Sequence, residues 1–220
     1  MIDYLGMVVG YLEGKMQPTE FERMLEENDE LYLWMQSIVS AEAKICYCDP
    51  PSHELGYYPY NIRLFMKLHE RLDYGGPKGS LSYHYYIHRE ILKLVKAAFP
   101  ELRFTADMRP AILKDLELKA CPGYIGGSEV AKSNILGKLL SDIPIEWSLS
   151  KQVKTARERI KAAFYIEGNH YPRWIQAPEW PISHGKPMKF LESVRINPEF
   201  LQHHFIDVDT GEVRIVNDFH

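Results

Sequence analysis

The hydrophobic pattern of this chain changes period once, after Gly168, and that change limits the architectures open to it. Upstream, apolar residues recur at three- and four-residue steps, the spacing that gives a helix one buried face. Downstream, Pro172, Pro178, Pro181 and Pro187 forbid a long helix, because proline lacks the N–H and clashes with the preceding turn. Beyond them, 188–196, 201–208 and 213–219 read as strands. The last two are joined by Asp209-Thr210-Gly211-Glu212, where glycine supplies the positive φ of a tight hairpin loop. Three strands suffice for a small antiparallel sheet. The spacing therefore predicts an α+β protein: a helical body over about 1–168 and a β-rich subdomain over about 169–220. The linker between them is short, so 1–220 is expected to pack as one domain.

Within the body, Leu5, Val8, Val9 and Leu12 share a helix face, and Gly14 and Pro18 end that helix. Thr19 starts the next, with Glu22 three residues on in a capping-box pattern. Phe21, Met24 and Leu25 face inward there, and Glu20, Glu22, Glu26 and Glu27 face mostly outward. Asn28-Asp29 marks a break or cap, followed by the stripe Leu31, Trp34, Met35 and Ile38. Residues 44–60 read as irregular because Asp49-Pro50-Pro51-Ser52 is loop chemistry. Ile62, Phe65, Met66, His69 and Leu72 restore the helical period. A long helix is predicted from Leu81, capped by Ser80 and stopped by Pro100. Shorter helices follow from about Pro110 and Ser128. A last long one opens at Ser150, with Lys151, Lys154, Arg157, Arg159 and Lys161 off its apolar stripe.

Charge is unevenly distributed. Residues 1–60 hold 11 acidic and 3 basic residues, a net of −8, while the rest of the chain carries +4. An acidic end repels phosphates and argues against nucleic acid as a direct ligand; it suits a basic protein partner. The candidate binding residues are Glu20, Glu22, Glu26, Glu27, Asp29 and Glu30. The competing reading is a merely solvated helix face. No uncharged apolar run reaches the ~18 residues of a membrane span, and no basic segment precedes the first apolar stretch, so neither an anchor nor a signal peptide is expected. Cys46, Cys48 and Cys121 are an odd, sparse set, which points to a reducing, cytoplasmic setting.

Motifs that carry chemistry are few. His84 and His88 are four apart on a predicted helix and could share a metal, but no Glu follows His84 and no third ligand is evident. Cys46 and Cys48, with Cys121 or His53, match no standard zinc spacing. Gly123, Gly126 and Gly127 precede a helix as at an anion site, without the lysine of a phosphate loop. Arg173, Trp174, Glu179 and Trp180 read as an irregular segment fixed to a core rather than as a ligand patch. No metal and no cofactor are expected.

The segment Pro172-Arg173-Trp174-Ile175-Gln176-Ala177-Pro178-Glu179-Trp180-Pro181, then Gly185-Lys186-Pro187-Met188-Lys189-Phe190 and the Asp209-Thr210-Gly211-Glu212 hairpin, resembles the ends of bacterial proteins from toxin–antitoxin neighbourhoods. These look like immunity proteins of polymorphic toxin or contact-dependent inhibition systems. The resemblance covers about a quarter of the chain and carries no toxin-binding residue with it. It implies a non-enzymatic protein that binds and neutralises a cognate toxin, and the acidic face suits a basic nuclease. Two alternatives stand beside it: a metal-dependent hydrolase using His84 and His88, and an interaction or scaffold protein.

Overall fold

The computed structural model describes residues 2–41, 43–49, 54–70, 76 and 78–219, with backbone alone for 46–49 and 54–57. The chain has the α+β class that its periodicity predicts. Its contacts gather into two compact units, Met1–Pro110 and Ala111–His220, so the division falls well before the change of period near 168.

The first unit opens with α1 (Tyr4–Leu12), whose N-cap Asp3 accepts a hydrogen bond from Gly6 N. Gly14, at φ +75°, lets the chain turn out of it. Helix α2 (Pro18–Glu27) has its N-cap at Gln17, two residues earlier than the Thr19 of its capping-box pattern. Pro18 takes the first turn, where its missing N–H costs nothing, and no side chain caps the helix. Asn28 does cap α3 (Asp29–Ser37), accepting from Glu30 N and Leu31 N at 3.0 Å each.

Residues 44–60, expected to be irregular, instead form the antiparallel hairpin β1 (Lys44–Asp49) and β2 (Glu54–Pro59). Asp49 ends β1 opposite Glu54, and Pro50, Pro51 and Ser52 lie outside the described residues. Helix α4 (Ile62–His69) is capped by Asn61, and α5 (Leu81–Ala98) by Ser80 as predicted. Leu72 lies outside the described residues. Val8, Leu12, Phe21, Leu25, Leu31, Met66, Ile87 and Ile91 form the core of this unit, and Tyr11 stacks on Phe21 at 4.1 Å between ring centres.

Helix α6 (Arg109–Ala120) carries the chain into the second unit. The single helix expected from Ser128 is two short ones, α7 (Ser128–Ser133) and α8 (Ile135–Leu140), broken at Asn134 with φ +50°. Asparagine tolerates that left-handed backbone better than most residues. Helix α9 (Leu149–Ala163) follows, then a minimal hairpin of β3 (Ile182–Ser183) and β4 (Lys186–Pro187) turned through His184 and Gly185.

The expected sheet is β5 (Lys189–Asn197), β6 (Phe200–Ile206) and β7 (Val213–Phe219), antiparallel and in sequence order. Asp207 shapes the β6–β7 loop by accepting from Asp209 N and Thr210 N, and Gly211 sits at φ +76°. The Ser183 hydroxyl, with those backbone donors, holds the Asp207 carboxyl well below the ordinary carboxylate range. The buried Trp180 ties helices to sheet: its ring meets Phe164 just after α9 and Phe205 of β6 edge-on, and its indole N–H donates to Met188 O at 2.8 Å.

Candidate functional site

Five of the six acidic residues singled out from the sequence are exposed on two consecutive helices. Glu20, Glu26 and Glu27 on α2 and Asp29 and Glu30 on α3 are all exposed, within eleven residues of chain. A short cap between two helices allows this: Asn28 turns the chain so that both outer faces stay in solvent. Four of the five already have a partner. Glu26 pairs with Lys78, Glu27 with Arg23 at 3.5 Å and Asp29 with Arg63 at 2.9 Å, while Glu30 accepts from the Tyr4 hydroxyl at 2.6 Å. Such exposed pairs are worth little, about 0–1 kcal/mol each, so a cation arriving from outside competes with them at small cost. Leu33 lies three residues beyond Glu30, on the same side of α3, and is 63% exposed.

Glu22 is the correction to that set. Helical spacing predicts an outward side chain here, yet Glu22 is fully buried, with a relative exposure of 0%. One carboxylate oxygen meets His84 Nδ1 at 2.8 Å, and the other has no hydrogen-bond partner among the described residues. Burial raises the Glu22 pKa above its ordinary value, and the bond to His84 opposes that only in part. Tyr11 and Tyr83, whose ionisation the Glu22 charge further disfavours, also carry buried hydroxyls without partners. Glu22 therefore belongs to the polar interior of the first unit and cannot steer a partner.

His84 and His88 do share α5 but serve separate contacts. His84 faces Glu22, and His88 Nε2 donates to Leu12 O at 3.3 Å with its ring edge-on to Tyr11. Burial lowers the His88 pKa and so favours its neutral form. Among the described residues, no group of three His, Cys, Asp or Glu side chains gathers at metal-binding distance. The side chains of Cys46 and Cys48, and all of His53, lie outside the described residues. Cys121 is half-buried, and burial pushes its thiol up to about 11, so at neutral pH it is a thiol rather than a nucleophilic thiolate.

The glycine loop before α7 is filled from within the chain. Glu179 Oε2 accepts from Ser128 N at 3.2 Å, and Trp180 N donates to Gly126 O. Trp174 donates its indole N–H to Tyr124 O at 2.9 Å, so both tryptophans of the Pro/Trp segment are fixed to the core, as their chemistry suggested. Lys154, Arg157 and Lys161 of α9 line an open groove of about 580 Å³ with Lys119, Leu149 and Val153. Arg157 is held there by Lys119 O, whereas Arg159 pairs with Asp142.

One polar cluster went unseen in the sequence. Ser193, His203 and Asp218 are hydrogen-bonded in series across the three strands of the C-terminal sheet. Alternation along a strand puts His203 and His204 on opposite faces, and here His203 is fully buried and His204 half-buried. What alternation could not supply was the strand register that brings serine and aspartate to His203.

No family model matches this chain, and neither curated proteins nor solved structures yield a match to it.

Proposed function

We propose that this chain is a binding protein that takes a basic protein partner on the outer face of α2 and α3. The observation that carries this reading is the run of five exposed carboxylates from Glu20 to Glu30, beside the protruding Leu33. Clustered like charge accelerates association with a partner of opposite sign, and an exposed apolar side chain at its margin supplies the short-range contact that charge alone lacks. The likeness of the C-terminal segment to immunity proteins makes a bacterial toxin the partner to test first, with neutralisation as the outcome of binding. A nuclease, whose substrate demands a basic surface, suits the charge.

The test is the triple variant Glu20→Lys, Glu27→Lys and Glu30→Lys, with a basic bacterial nuclease toxin as the partner. These side chains lie off the core, so the circular dichroism spectrum should be unchanged. Association should slow by about tenfold or more at low salt, lose its salt dependence, and leave toxin-exposed cells unprotected. Full protection with wild-type salt dependence would show that this face is only solvated.

A further inference from the structure

We propose that Ser193 is a base-activated hydroxyl that accepts an acyl or phosphonyl group from small, reactive donors in solvent. This is independent of partner binding at α2 and α3.

The arrangement depends on a bulge. Phe190 pairs with Phe205, but the next pairs are Glu192 with His204 and Ser193 with His203, so Leu191 is an extra residue in β5. Without it, an unbroken register would set Glu192, not Ser193, opposite His203. Bulges re-aim side chains in this way. Here the effect is to bring Ser193 Oγ to 2.7 Å from His203 Nδ1.

The other ring nitrogen, Nε2, faces Asp218 Oδ2 at 3.2 Å. That carboxylate also accepts two backbone N–H groups, from Ile175 at 2.5 Å and Gln176 at 3.1 Å. Asp218 thus acts as the acceptor, and the hydrogen of a neutral His203 belongs on Nε2. Nδ1 is left with a lone pair aimed at the serine hydroxyl. The ring cannot readily turn away: it is 0% exposed and meets Trp174 edge-on at 4.4 Å. Asp218 is 5% exposed, whereas Ser193 is exposed on an edge strand. A buried base and its positioning carboxylate therefore end on a nucleophile that solvent reaches. The same three residue types in the same logical order activate serine in acyl-transfer enzymes of unrelated fold.

In the reaction, Ser193 Oγ attacks the carbonyl carbon of an ester and forms the new C–O bond. Its proton passes to His203 Nδ1, and Asp218 stabilises the imidazolium. The bond to the leaving group breaks, and the departing alkoxide or phenoxide takes the proton from His203; with a fluorophosphonate the attack is at phosphorus, the P–F bond breaks, and fluoride leaves with that proton. The products are an acyl ester on Ser193 and the free alcohol or phenol. The developing oxyanion lies on the solvent side, stabilised by water rather than by a built pocket. The donors must accordingly be intrinsically reactive, such as aryl esters or fluorophosphonates.

The experiment treats the full chain with p-nitrophenyl acetate, and separately with a fluorophosphonate probe, and locates adducts by peptide mass spectrometry. One adduct is expected, on Ser193, in the native protein. It should be absent from Ser193→Ala and from the urea-unfolded wild type. Acylation of a folded His203→Gln variant should be at least about a hundredfold slower. If that variant does not fold, the contrast between native and unfolded wild type decides the matter. Adducts scattered over lysines and tyrosines with Ser193 unmodified, equal labelling of native and unfolded chains, or an unchanged rate in folded His203→Gln would each overturn the proposal.

Discussion

Glu22 shows how one side chain couples stability to pH. The unfolded chain releases the Glu22 proton near the ordinary value of 4.5, while burial makes the folded protein release it at higher pH. Between those two points the folded state binds more protons than the unfolded state, so this residue's contribution is full below 4.5 and declines as pH rises. Glu22→Gln, neutral throughout, should remove that slope. Denaturant titrations from acid to neutral pH should give parallel values for variant and wild type at the acid end, and a growing advantage for the variant above it. A constant difference across the range would mean that Glu22 titrates alike in both states. The His84 contact should survive, because the amide oxygen of glutamine still accepts from Nδ1.

At the scale of elements, two polar side chains hold structure that hydrophobic burial leaves open. Gln152 of α9 is buried, and its amide nitrogen donates towards three carbonyls of the preceding turn: Ile145 and Trp147 at 2.9 Å and Pro144 at 3.3 Å. One side chain thereby satisfies a loop that has no ladder of its own. Gln152→Ala should cost roughly 1–3 kcal/mol in chemical denaturation, the usual result of leaving buried acceptors unpaired. Asn28 plays a smaller part at an exposed helix start, and Asn28→Ala should cost about 1 kcal/mol. Trp180 is the apolar counterpart. Trp180→Ala opens a void between Phe164 and Phe205 and strands Met188 O, so a loss of roughly 3–5 kcal/mol is expected from the second unit.

For the whole molecule, charge separates the two units. The first unit carries a net of −4, and the second is neutral, with its basic residues concentrated on α9. A partner attracted by charge should therefore discriminate between them. Lys154→Glu with Lys161→Glu, on the groove of α9, should leave association with a basic partner as fast as wild type or faster. Reversal on α2 and α3 should slow it. Stopped-flow rates across a salt series read both variants in one experiment, and equal slowing by the two would place the docking surface elsewhere.

The sequence by itself determined what depends on near neighbours: the α+β class, the long helices, the cap at Ser80, the three C-terminal strands and the glycine loop at Asp209–Glu212. Each rests on a period, a cap or a glycine that acts within a few residues. The β1–β2 hairpin escaped because the Pro50-Pro51-Ser52 text reads as a loop and says nothing of strands before and after it. Only the tertiary structure decided the rest. Glu22 and His84 are 62 positions apart, and whether a helical carboxylate meets solvent or a histidine depends on which helix packs over it. The bulge at Leu191 moves β5 by one residue, enough to exchange Glu192 for Ser193 opposite His203. Burial and register are set by what lies across the fold, and the spacing of residues along the chain carries no record of it.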